Sequence, residues 1–282
     1  MKIGLVQSSP HLGDVQKNLK SHFAYIEKAK KENVQLIIFP ELSLTGYTLQ
    51  DLVEEVALCP DSDPTFKKIK TASEEISIVF GFVEKKDNGL FYNSSAYLSD
   101  GEIKNIHRKV FPPTYGMFEE MKFFAQGKNF HTFSTPFGKT GMMICYDFLQ
   151  LGACYLLFAG GSDTIIVLSA APGRGYSEED KFESSNIWES MGASLSRFST
   201  SFVVYCNRVG FEDGKVFAGG SFIYGPAGNL MAKARYVEEE FLIHDINLDE
   251  IAEVRKKRLY KRDDKPEIIL EALKRIISSY ED

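Results

Sequence analysis

Apolar runs and helix-period segments alternate along this chain from its start. Residues 2–8 alternate and then run apolar, which predicts a first strand. Asp14 is placed to cap a helix over 15–31, where Val15, Leu19, Phe23, Ile26 and Ala29 recur at three- and four-residue steps. Residues 34–39 (Val-Gln-Leu-Ile-Ile-Phe) predict a buried strand stopped by Pro40. A β–α–β opening of this kind implies a parallel pair with a right-handed crossover. Two helices are expected near 51–58 and 64–73, then a buried strand at 76–83. Residues 90–98 and 102–107 alternate around Asp100–Gly101, a hairpin signal.

The second half repeats the theme. The stretch Gly141–Met142–Met143–Ile144–Cys145–Tyr146–Asp147 reads as a buried strand delivering a thiol to its C-terminal end. A helix at 149–159 ended by Gly160–Gly161, a strand at 164–168 with an exit loop at 169–175, a long helix from Glu178 to about Phe198 and a strand at 201–206 follow. A hairpin turns at Asp213–Gly214, further strands lie at 216–224, 231–235 and 241–245, and terminal helices at 249–257 and 265–279. Strands alternating with helices in this way define an α/β protein.

Composition narrows the partners. The 282 residues are 44% hydrophobic, enough for one large core, and no linker or low-complexity tract divides them, so a single domain over 1–282 is expected. A formal net charge of −6 argues against a nucleic-acid surface. The basic run Arg255–Lys256–Lys257–Arg258 precedes Asp263 and Asp264 and reads as a solvated helix end or a subunit contact. No apolar run approaches the roughly 18 residues of a membrane helix, and no leader pattern opens the chain, so no membrane partner is expected. Cys59, Cys145, Cys154 and Cys206 form no CxxC pair, the histidines show no metal-ligand spacing, and no phosphate-binding glycine loop lies in context. No cofactor or metal is therefore expected, and a reducing cytoplasm is the simplest location.

Three polar residues sit where apolar strands end: Glu41, Lys109 and Cys145. Each has a plain alternative. Cys145 can be a packing cysteine, Glu41 a solvated loop acid, and Lys109 part of a surface triplet with His107 and Arg108. Strand ends of an α/β sheet converge at one edge, however distant in sequence, and that convergence makes the three a candidate site. After Lys109, Pro112 and Pro113 force the chain out of the sheet. The following loop, with Tyr115, Phe118, Phe123 and Phe124, either covers a pocket or packs a long connection.

Five motifs occur in order: Phe39–Pro40–Glu41–Leu42; His107–Arg108–Lys109 leading to Tyr115–Gly116–Met117–Phe118–Glu119–Glu120; Ile144–Cys145–Tyr146–Asp147; Asn207–Arg208–Val209–Gly210; and Gly219–Gly220–Ser221. On these the chain resembles the nitrilase (carbon–nitrogen hydrolase) superfamily. Its lysine-to-loop segment looks like the glutaminase domain of glutamine-dependent NAD synthetases, without the synthetase half, and a tyrosine after the cysteine is similar to amidase branches. The resemblance implies an α-β-β-α sandwich, usually assembled as dimers or larger, and a Glu–Lys–Cys triad: Glu41 as base, Lys109 stabilising the oxyanion, Cys145 as nucleophile. It implies Glu120 as the second pocket glutamate, with Glu119 as the alternative, and the Tyr146 N–H as an oxyanion donor. Tyr115 and Phe118 would be pocket walls, with Ala170 a further substrate contact.

The ammonium would favour the Cys145 thiolate. The implied reaction is hydrolysis of a small, partly apolar amide to a carboxylic acid and ammonia through a thioester, by a homodimer. Nitrile or N-carbamoyl hydrolysis would use the same triad. A metabolite-binding pseudoenzyme and a redox protein pairing Cys145 with Cys154 or Cys206 are the readings from other classes. After the nucleophile, Phe148–Leu149–Gln150–Leu151–Gly152 lacks the arginine of many relatives, which leaves the substrate class open.

Overall fold

The computed structural model describes residues 1–175 and 182–280. Its strands are β1 (Lys2–Gln7), β2 (Leu36–Ile38), β3 (Ser77–Lys85), β4 (Phe91–Ser99), β5 (Glu102–Arg108), β6 (Thr132–Thr135), β7 (Gly138–Ile144), β8 (Thr164–Ser169), β9 (Phe202–Asn207), β10 (Val209–Glu212), β11 (Lys215–Ala218), β12 (Phe222–Tyr224), β13 (Leu230–Lys233) and β14 (Glu240–Asp245). The helices are α1 (Val15–Lys31), α2 (Val53–Val56), α3 (Pro64–Ala72), α4 (Glu120–Phe123), α5 (Leu151–Ala159), α6 (Ser185–Ser199), α7 (Asp249–Lys257), α8 (Tyr260–Asp263) and α9 (Pro266–Ser278). Two six-stranded sheets run in the orders β14-β1-β2-β3-β4-β5 and β13-β12-β9-β8-β7-β6. At the centre of each, three strands are parallel: β1, β2 and β3 in one, β7, β8 and β9 in the other.

The sheets pack face to face through Ile3, Leu5, Leu36 and Ile38 on one side and Met142, Ile166, Leu168, Phe202 and Val204 on the other. The alternate residues of the same strands face outward onto helices. Val6, Ile37 and Phe80 meet Leu19 and Ile26 of α1 and Phe66 and Ile69 of α3. Met143, Ile165, Val167 and Val203 meet Ala153, Cys154 and Leu157 of α5 and Leu195 of α6. Because both faces are covered, these strands read as apolar runs rather than alternating ones. The architecture is the expected α-β-β-α sandwich.

Local chemistry explains the boundaries. Asp14 caps α1 by accepting from the Lys17 N–H at 2.9 Å. The strand expected at 216–224 is two strands, because Gly219 and Gly220 adopt φ of +68° and +67° and turn the chain between them. The helix expected over 149–159 begins at Leu151, after a 3₁₀ turn at Cys145–Leu149, and the one expected near 51–58 shrinks to a 3₁₀ turn and α2. The long helix was expected from Glu178. That position lies outside the described residues, and α6 begins at Ser185. Arg255 in the basic run is not simply solvated, since its guanidinium reaches Asp163 at 2.7 Å and ties α7 to the start of β8. Among the described residues no helix is long and apolar enough to cross a membrane.

His22 carries a pH-dependent load. Its ring stacks on Phe39 with centroids 3.8 Å apart, with Nδ1 2.8 Å from the Asn18 carbonyl and Nε2 3.0 Å from Ser43 Oγ. Burial pulls its pKa down to about 4, against an opposing pull from the Asn18 hydrogen bond. Between that value and the ordinary 6.5 the unfolded chain binds a proton that the fold refuses, so stability falls as pH falls through this window. The loss is at most about 3 kcal/mol. Urea unfolding at pH 7.5 and 4.5 should show this drop in the wild type and a smaller one in His22→Gln. An equal drop in both would contradict it.

Candidate active site

The parallel strands point their C-terminal ends to one edge, and the predicted chemistry collects there. Cys145 directly follows β7, Ser169 closes β8, Asn207 closes β9, and Glu41 lies just beyond β2. β5 pairs antiparallel with β4, which pairs antiparallel with β3, so β5 ends at the same edge and Lys109 follows it at once. Glu41 is held by the closeness of its loop to β3. A Cβ at Gly81 would lie 2.3 Å from the Leu42 nitrogen and 2.8 Å from the Pro40 oxygen, so only glycine lets the loop lie so low.

Lys109 is the hub. It is 1% exposed, and its Nζ donates to Glu41 Oε1 and to Glu120 Oε1, each at 2.7 Å. The Asn93 amide donates to Glu41 Oε1 at 2.7 Å, and the Ala170 N–H to Glu41 Oε2 at 2.7 Å. Tyr47 donates its hydroxyl to Glu120 Oε1. Burial works to discharge Lys109, but Glu120 and Glu41 outweigh it and hold the ammonium above the ordinary lysine range. Glu120 is displaced upward by burial, with Lys109 opposing and Glu41 adding to the rise. Of the two candidate glutamates on the loop, Glu120 is the one on Lys109.

Cys145 sits at φ +46°, a left-handed conformation that a non-glycine residue adopts at a strain of roughly 1–3 kcal/mol. Such a sharp strand exit presents a nucleophile at a sheet edge. The turn is anchored by Asp147. Its Oδ1 accepts from the Val110 and Phe111 N–H groups at 3.0 and 2.9 Å, and its Oδ2 from the Ile144 N–H at 3.2 Å. His107 Nε2 lies 2.9 Å from the same Oδ2. One buried carboxylate thus couples the cysteine turn to the exit carrying Lys109. On the other flank of that exit, Arg108 makes a two-pronged pair with the buried Glu84, both contacts at 2.7 Å.

The ammonium favours the thiolate as expected, but it is not the largest influence on Cys145. Lys109 lowers the Cys145 pKa, but burial, reinforced by Glu41 and Glu120, raises it more, and the thiol lies well above the ordinary cysteine range. Cys145 is therefore a neutral thiol at rest, and making it nucleophilic requires a base at hand. Ser169 opposes that rise and accepts from the Tyr205 hydroxyl at 3.0 Å.

The other predicted residues divide. Phe118 is buried, and Tyr115 rests against it and against Tyr146, with ring centroids 5.4 and 5.5 Å away. Tyr115 is itself 50% exposed, so the loop is only partly a buried cover. The Ala170 N–H is committed to Glu41 rather than offered to a substrate. Asn93, Tyr47, Asp147 and Ser169 were not singled out from the sequence. Asn93 had a signal, since the polar run Asn93–Ser94–Ser95 breaks the alternation of its strand.

A strand-end thiol, a buried carboxylate and a buried ammonium thus meet at one sheet edge. Residues 2–256 match the Carbon-nitrogen hydrolase family, and the chain belongs to it. It is 30% identical over 264 residues to a probable nitrilase of Schizosaccharomyces pombe, covering 90% of this chain and 91% of that protein. It is 31% identical over 249 residues to a glutamine-dependent NAD(+) synthetase of Acinetobacter baylyi, covering 88% of this chain but 44% of that protein. The chain thus spans less than half the length of the synthetase. A solved carbon-nitrogen hydrolase from Helicobacter pylori G27 superposes with TM-score 0.82 at 25% identity, covering 97% of this chain and 98% of that one.

Proposed function

We propose that this protein hydrolyses a small amide to a carboxylic acid and ammonia through a thioester on Cys145. The observation that carries this reading is the buried Lys109 ammonium, 2.7 Å from both Glu41 and Glu120, beside a strained strand-end thiol. Glu41 takes the Cys145 proton as the sulfur attacks the amide carbon. Lys109 Nζ and the Tyr146 N–H stabilise the resulting oxyanion. The C–N bond breaks as Glu41 passes its proton to the leaving nitrogen, releasing ammonia. Glu41 then takes a proton from water as it attacks the thioester, and that proton returns to the sulfur with release of the acid. Tyr115 and Phe118 wall the mouth, which suits an amide with a partly apolar body. Ammonia release from a panel of small amides, ureas and nitriles tests the reading. Turnover of amides first supports it; turnover of nitriles or carbamoyl compounds alone would replace it.

We further propose that the chain works as a homodimer. Every residue of α9 is exposed, including Ile268, Ile269, Leu270, Leu273, Ile276 and Ile277, and a 13-residue helix is marginal in water unless its apolar face is covered. A groove of about 660 Å3, lined by Leu151, Phe158, Leu195, Phe198 and Tyr260, opens between α5, α6 and α8. An apolar surface of this kind is what a partner covers. Light scattering at micromolar concentration should give twice 31.8 kDa; the monomer mass would refute the proposal.

A further inference from the structure

The Asn207–Arg208 segment takes no part in the chemistry above, yet it holds the largest fully buried side chain among the described residues. Arg208 is 0% exposed, its guanidinium lies 4.1 Å from the Phe217 ring centroid, and its Nη1 donates to Glu212 Oε2 at 2.7 Å. Its Nη2 has no hydrogen-bond partner among the described residues. A buried cation left partly unsatisfied is expensive and calls for an explanation beyond packing.

The contacts of Glu212 supply one. Its Oε1 accepts the N–H groups of Tyr47 and Thr48 at 2.9 and 2.6 Å. Tyr47 in turn donates its hydroxyl to Glu120, which holds Lys109. We propose that the buried Arg208–Glu212 pair is a positioning device, clamping the loop after Glu41 so that the Tyr47 hydroxyl stays on Glu120. The proposal rests on the amide-hydrolysis reading of the site. Asn207 acts on the other carboxylate, since its Oδ1 accepts the Ala171 N–H at 2.8 Å and steadies the loop whose Ala170 N–H holds Glu41.

The groups facing Glu120 are Lys109 from the end of β5, Glu41 and Tyr47 from the loop after β2, and Asn93 from β4. Those facing Arg208 are Glu212, Glu41 and Tyr47. The Tyr47 hydroxyl favours the Glu120 carboxylate, so loosening it lets Glu120 protonate at higher pH.

The test is the pH profile of kcat and KM in Tyr47→Phe, Arg208→Met and the double variant. Each single variant should lower kcat about 10- to 100-fold, change KM less, and move the acid limb to higher pH. The double variant should go no further than the stronger single one. A lowered melting temperature with kcat per folded molecule and the acid limb unmoved would overturn the proposal, as would additive effects in the double variant. Should Arg208→Met fail to fold, Glu212→Gln keeps the side-chain shape and is read the same way. The acid limb can also be followed by alkylation of Cys145 with iodoacetamide. A protein that turns over no amide therefore counts against the amidase reading alone, while the alkylation profile still decides the role of Arg208.

Discussion

Cys145→Ser should fold as the wild type does and release no detectable ammonia. Replacing sulfur with oxygen changes little in volume, and the turn at Cys145 is fixed by backbone contacts to Asp147 rather than by the thiol. The chemistry changes completely. A serine hydroxyl buried beside Glu41 and Glu120 is far harder to ionise than a thiol already displaced upward by that same burial. Loss of a nucleophile costs on the order of a millionfold in kcat where it has been measured in hydrolases. Ammonia assay and thermal unfolding on one preparation check this. A folded Cys145→Ser protein that still hydrolyses amides would remove the thioester from the mechanism.

Glu41→Gln should also fold, with kcat reduced by roughly 10²- to 10⁴-fold, the range for loss of a general base. The carboxylate accepts from Lys109, Asn93 and the Ala170 N–H, three donors on two oxygens. A glutamine offers one oxygen and one NH2 in the same space, so at least one donor is left facing another whichever way the amide lies. With the thiol neutral at rest, Glu41 is the carboxylate that acts on Cys145 most strongly, and alkylation of Cys145 should slow in parallel. Wild-type rates of both turnover and alkylation would make Glu41 a structural acid.

Much of this arrangement is legible along the chain, for a physical reason. Strands covered on both faces, such as 164–168, leave continuous apolar runs, and the polar residue that ends each run stands out. Glu41 and Cys145 are such residues, Lys109 follows the alternating, half-exposed β5, and the sheet topology brings all three to one edge. What escapes is whatever depends on contacts across the fold. Tyr47 reads as a loop aromatic until Glu120 is found beneath its hydroxyl. Arg208 reads as one letter of a motif until its burial against Phe217 and Glu212 is seen. The rested state of Cys145 is likewise a balance, in which one ammonium loses to burial and two carboxylates. No linear pattern reports that balance. The break at Gly219–Gly220 was readable in principle, since paired glycines mark turns, but the flanking apolar residues make one continuous strand the simpler expectation.

The most direct test of the central claim is intact-protein mass taken during turnover of an amide that releases ammonia, with peptide mapping of the product. The account predicts a mass increase equal to the acyl group, carried on Cys145, lost on standing in water and absent from Cys145→Ser. Ammonia release with no adduct on Cys145, in rapidly quenched samples that span the first turnover, would contradict it.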